Sequence, residues 1–114
     1  MTRLLRTGSL VAIALVTAFI VSACTGRAPE VTVDDPVLIE GRELYISNCS
    51  ACHGLGGGGG RGSKLNEGRL EQRLPDPADQ IDVVANGRND MPAFSGRLTE
   101  SEIEAVVRYT REVL

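Results

Sequence analysis

Two cysteines three positions apart, Cys49 and Cys52, with His53 directly behind them, constrain this chain more than any other feature. The rest of the sequence offers little with which to build a core. Among 114 residues there is no Trp, and there are only two Tyr and two Phe. A domain of this size is hard to stabilise by burial alone and ordinarily needs a staple: disulfides, a metal or a cofactor. Three cysteines invite one disulfide and a spare thiol. A bridge between Cys49 and Cys52, however, would close a tiny loop and stabilise little. A structural zinc site needs four ligands, and His53 is the only histidine. A thioredoxin-like pair belongs beside a βαβ pattern, and none is visible.

Cys-x-x-Cys-His instead has the spacing of covalent c-type haem attachment. Two thiols at this separation, in the last turn of a helix, reach both vinyl groups on one edge of the macrocycle. The next residue, His53, then lies beneath the ring as proximal iron ligand. The sequence therefore points to one covalent haem c, bound through Cys49 and Cys52.

The first residues are expected to lie outside the folded domain. Arg3 and Arg6 precede an uncharged apolar run, Leu10 to Val21. That is long enough for a signal-peptide core and short of the roughly 20 residues a membrane span needs. It ends in Val21-Ser22-Ala23-Cys24, which resembles the lipobox of bacterial lipoproteins. Residues 1–23 are expected to be a signal peptide, and Cys24 the acylated first residue of the mature chain. The domain then lies outside the cytoplasm, in the periplasm or on the outer face of the cytoplasmic membrane. Residues 24–34 read as a tether with no core residues, reaching about 30 Å at most when extended. The whole chain has 12 basic and 15 acidic residues, and loss of Arg3 and Arg6 enlarges the acidic excess. That balance argues against nucleic acid as a partner.

Residues 35–114 form the expected domain, and its helix signals are clear. Asp35-Pro36 pairs an N-cap with Pro at the first helical position, and Val37, Leu38, Gly41, Leu44, Tyr45 and Asn48 follow at helical spacing up to Cys49. Residues 65–74 suggest a short helical turn. Asp76-Pro77 repeats the cap, Ile81, Val84 and Ala85 share a face, and Asn86-Gly87 closes the helix. Thr99 to Glu102 is a capping box. It leads into Ile103, Val106, Val107, Thr110 and Leu114 on one face. The expected fold is all-α: three main helices and ordered loops, with no convincing strand. The glycine-rich stretch 54–62 begins directly after His53, so it is expected to wrap closely around something. It lacks the Lys-Ser/Thr of a phosphate-binding loop.

With Met1 in the signal peptide, Met91 is the one methionine of the expected mature chain. Core filling is the commoner fate of a Met, but this one sits in a polar loop, GRNDMPAF. Pro92 also restricts its backbone to extended conformations. Met91 is therefore the candidate for the sixth iron ligand.

At this point the chain resembles the class I monohaem cytochromes c, in particular their small lipid-anchored bacterial type. The resemblance spans about residues 36–113 and is strongest in CSACHG at 49–54 and NGRNDMPAF at 86–94. It implies that Gly41 and Tyr45 on the first helix meet Val106 and Tyr109 on the last, the glycine allowing close approach. It also implies that a backbone carbonyl holds the proximal histidine. The family commonly has Gly-Pro-x-Leu there. This chain has Gly62-Ser63-Lys64-Leu65, so Ser63 would supply the carbonyl without the stiffness of Pro.

The function these readings imply is one-electron transfer in a respiratory or related chain, not enzymatic catalysis. A haem held by His53 and Met91 has no open coordination position, and Met ligation raises its potential. The implied partners are a redox donor and acceptor, a membrane oxidase or dehydrogenase complex among them. Two rivals stand beside this. One is a haem catalyst or gas sensor, should Met91 be displaced. The other is a cytochrome subunit docked within a larger complex.

Overall fold

A computed structural model describes residues 27–31 and 34–114. The proposed signal peptide and the lipidation residue Cys24 lie outside the described residues. Among the described residues five helices follow one another: α1 (Pro36–Asn48), α2 (Ser50–His53), α3 (Arg69–Arg73), α4 (Pro77–Asn86) and α5 (Glu100–Glu112). Among the described residues there is no strand; a lone antiparallel bridge pairs Arg88 with Met91. The fold is all-α. No described helix is long and apolar enough to cross a membrane.

The expected caps are all formed. The Asp35 carboxylate accepts from the Val37 and Leu38 amides, with Pro36 at the first position. Asp76 accepts from Ala78 in the same manner. At Thr99 both halves of the capping box are present. These bonds satisfy amides that have no partner inside a helix.

The core is organised by the packing of α1 on α5. Leu38, Gly41 and Tyr45 are the buried residues of α1. Ile103, Ala105, Val106, Val107, Tyr109 and Thr110 are those of α5. The approach is set by Gly41: a Cβ there would stand 2.7 Å from the Ala105 carbonyl carbon and 3.0 Å from the Tyr109 Cβ. The Tyr45 and Tyr109 rings lie tilted, with centroids 5.5 Å apart. A second apolar cluster joins Val84 of α4, Phe94, Leu98, Ile103 and Val107.

Three features differ from the sequence reading. Val37, expected on the buried face of the first helix, is exposed. On α4 the buried residues are Val84 and the polar Gln80. Gln80 is satisfied by donating to the Thr110 hydroxyl at 2.8 Å, while Arg111 donates to its amide oxygen and to the Leu74 and Pro75 carbonyls. The third concerns the tether. Ala28 is 4% exposed, and the Pro29 carbonyl accepts from Arg42 Nε at 2.8 Å and from the Tyr109 hydroxyl at 3.3 Å. This part of the segment is not bare linker, because its carbonyls satisfy donors on α1 and α5.

Candidate functional site

The Cys-x-x-Cys-His segment is a helical turn with a break in front of it. Cys49 ends α1 and its N–H donates to the Tyr45 carbonyl at 2.9 Å. The Cys52 and His53 amides then both donate to the Cys49 carbonyl, at 3.1 and 3.0 Å. Gly54 ends the turn at φ +80°, in the region that favours glycine. The expected single helix running into Cys49 is thus two helices meeting at that residue. Both cysteines are half-buried. Burial, with Cys52 adding to it, pushes the Cys49 thiol up to about 11. Among the described residues no group of three or more His, Cys, Asp and Glu could hold a metal ion.

Behind the motif, the glycine stretch folds back on it. Gly59 N–H donates to the His53 carbonyl and Gly62 N–H to the Cys52 carbonyl, both at 2.8 Å. Asn66 closes the loop, its side-chain amide donating to the Gly56 carbonyl at 2.7 Å. The result brings Gly62 against the imidazole: a Cβ there would stand 2.8 Å from His53 Cε1 and Nδ1. The next residue presents its carbonyl to the ring, with His53 Nδ1 and Ser63 O 2.7 Å apart. A carbonyl can only accept, so Nδ1 carries the proton and Nε2 keeps its lone pair for a metal. Ser63 thus supplies the bond that the resemblance assigned to a proline carbonyl.

Met91 lies in the loop between α4 and α5. Its amide and carbonyl exchange bonds with Arg88 at 3.0 and 3.1 Å. Gly87, at φ +76°, makes that turn possible, since a Cβ would stand 2.6 Å from the Met91 carbonyl oxygen. The loop is sewn to α4 by Phe94 N–H donating to Val84 and Ser95 N–H to Ala85. Met91 is half-buried and packs on the apolar cluster together with Leu44, Ile81 and Ala85. Leu44 belongs to the last turns of α1, so the cluster links the Met91 loop to the helix that carries the attachment motif.

These residues fit a covalent haem. The imidazole has the required tautomer, a glycine makes room for its ring, and the thiols sit one helical turn apart. Sequence reading missed Asn66 as the latch of the glycine loop and the Tyr45 hydroxyl, which donates to the Gly54 carbonyl at 2.6 Å. A lone Asn after a glycine run was the available signal for the first. Nothing local distinguishes Tyr45 from Phe as a core aromatic.

An all-α domain with this motif at the end of its first helix is a small class I monohaem cytochrome c. The chain belongs to the cytochrome c family: the family model described as cytochrome c oxidase, cbb3-type, subunit III, matches residues 37–109. It is 43% identical over 74 residues to a cytochrome c6 of Synechococcus sp., a match covering 63% of this chain and 66% of that protein, slightly short of two thirds of its length. Cytochrome c6 from the diatom Phaeodactylum tricornutum superposes with a TM-score of 0.53 at 33% identity, covering 64% of this chain and 88% of that one. The dihydro-heme d1 dehydrogenase NirN gives a TM-score of 0.60 at 35% identity, covering 66% of this chain but only 16% of NirN. Membership of this family, with Cys49 and Cys52 in the attachment positions, gives the chain one covalent haem c.

Proposed function

We propose that this chain carries single electrons between a protein donor and a protein acceptor at the outer face of the cytoplasmic membrane. In this reading residues 1–23 are a signal peptide, a lipid on Cys24 anchors the chain, residues 24–34 lead away from it, and residues 35–114 are the haem domain. Cys49 and Cys52 would attach the haem, and His53 and Met91 would ligate its iron. The observation that carries the reading is the 2.7 Å contact between His53 Nδ1 and the Ser63 carbonyl. It leaves Nε2 as a metal donor in the turn that holds both thiols.

The haem, when bound, supplies a one-electron couple at iron. The chain's own residues make that couple usable. Ser63 holds the Nδ1 proton and increases the electron donation of His53. Met91, a soft thioether, favours the ferrous form. The cluster of Val84, Phe94, Leu98, Ile103 and Val107, on which Met91 packs, keeps water away from that side and holds the ligand loop still. With both ligands fixed, oxidation and reduction need little movement.

Absorption spectra of the oxidised and reduced protein test the ligand set. The oxidised form should have a weak near-infrared sulfur-to-iron band, and the reduced form should not bind carbon monoxide rapidly. The opposite pair of results would favour a sensor or catalyst. Labelled palmitate should enter the full chain, and label retained by Cys24→Ser would count against the anchor. The family description supports a second reading, a subunit of a membrane oxidase. Co-purification with such a complex in mild detergent would favour it over a free carrier.

A further inference from the structure

The Tyr45 hydroxyl touches the attachment motif, and the electron-carrier reading gives it no task. Tyr45 is completely buried, and for packing against Tyr109 a Phe would serve as well. A hydroxyl in such a place needs a partner to offset its desolvation. Its partner is the Gly54 carbonyl, 2.6 Å away. The backbone carbonyl of the same residue accepts from the Cys49 amide at 2.9 Å. One residue therefore grips both ends of the segment 49–54, the first attachment cysteine at one end and the peptide after His53 at the other.

We propose that Tyr45 is a positioning residue for His53, clamping the Gly54 peptide so that the imidazole Nδ1–H stays on the Ser63 carbonyl. The proposal rests on His53 being the proximal ligand. Gly54 is where the chain leaves the motif turn, and the loop that leads from it to Ser63 is mostly glycine. Such a loop has no side chains to stiffen it, so its path depends on what holds its first peptide. The Gly59–His53 and Gly62–Cys52 bonds hold the far side, and the Tyr45 hydroxyl holds the near side. Burial pushes the Tyr45 hydroxyl well above its ordinary value, so it remains a donor throughout the pH range of a folded domain.

The test compares Tyr45→Phe with Tyr109→Phe in the reduced holoprotein. Both delete a hydroxyl from the same ring pair, but that of Tyr109 bonds the Pro29 carbonyl, away from the motif. The readout is hydrogen exchange of the His53 Nδ1 proton, followed by NMR. Losing the clamp should speed exchange roughly tenfold in Tyr45→Phe, the effect of one net hydrogen bond. Tyr109→Phe should exchange at the wild-type rate. Unchanged exchange in Tyr45→Phe, or equal acceleration in both variants, overturns the proposal. A wild-type protein whose His53 ring signals lack the large shifts of a haem ligand removes the proposal together with the reading beneath it. Unchanged exchange in a protein with those shifts removes the proposal alone.

Discussion

Gly41 and Ala105 meet backbone to backbone: a Cβ at position 41 would overlap the Ala105 carbonyl oxygen and stand 2.7 Å from its carbon. The obstacle is main chain on a well-packed helix, which cannot rotate aside as a flexible side chain could. Gly41→Ala should therefore push α1 away from α5 and destabilise the holoprotein by about 3 kcal/mol, the upper part of the usual range for overpacking. Urea unfolding followed by haem absorption measures this. A loss below about 1 kcal/mol would mean that the helices separate easily.

Two glycines of the proximal loop should respond in opposite ways. A Cβ at Gly62 meets the His53 ring at 2.8 Å, whereas a Cβ at Gly58 meets nothing within 4 Å, at a backbone angle open to any residue. Gly62→Ala should displace the imidazole, disturb the visible spectrum and lower the stability. Gly58→Ala should leave the spectrum unchanged and raise stability by roughly 0.5 kcal/mol, by restricting the unfolded chain. Thermal melts and spectra of the two variants check the pair.

Replacing Met91 by Ala should leave the haem covalently attached, because the thioether residues are on a different segment. The reduction potential should fall by ~0.1 V or more, a modest part of the ~0.8 V that axial ligands control. Carbon monoxide should then bind the reduced variant. Potentiometry and a carbon monoxide difference spectrum measure both effects. A variant with the wild-type potential would exclude Met91 as a ligand.

The Arg108 guanidinium, 3.0 Å from Asp35, holds that carboxyl below the usual carboxylate range, aided by the Val37 and Leu38 amides. A depressed folded-state pKa contributes stability that is present above the unfolded value and is lost as pH falls through the folded one. Asp35→Asn should therefore unfold at lower denaturant than wild type at neutral pH. The difference should shrink as the solution is acidified and disappear in strong acid. Salt should also reduce it, since both side chains are partly exposed. A difference that persists unchanged in strong acid would show that the ion pair is not its source.

The elements most legible in the sequence are those with local causes. Asp35-Pro36, Asp76-Pro77 and Thr99-x-x-Glu102 announce their helices because a cap needs only residues a turn apart. The attachment motif is legible for the same reason. Contacts made across the chain have no local signal; the approach of Gly41 to Tyr109 and the Ser63 carbonyl on His53 were legible only through the family resemblance. Nothing near Gln80 says that it will face Thr110 thirty residues on, and a polar residue on α4 reads as exposed until α5 is in place. Likewise Ala28 and Pro29 read as linker, because the donors that hold them, Arg42 and Tyr109, come from two different helices. The glycine stretch was legible as a close wrap but not in its path. The path depends on Gly54, Gly57 and Gly59 adopting positive φ, which a run of identical residues does not reveal.

The pairing of α1 with α5 also joins two segments that lie far apart in the sequence. α1 has 13 residues, a length at which an isolated helix is marginal in water. Its partner surface is made only when Glu100–Glu112 has been delivered, after the attachment motif, the glycine loop and the Met91 loop. Without that surface Cys49, Cys52 and His53 are held by local bonds alone, such as those from the Gly59 and Gly62 amides. Both cysteines are half-buried in the folded chain, so they are more accessible for haem attachment before the two helices pack. The packing of α5 over Gly41 turns that segment into a protected one.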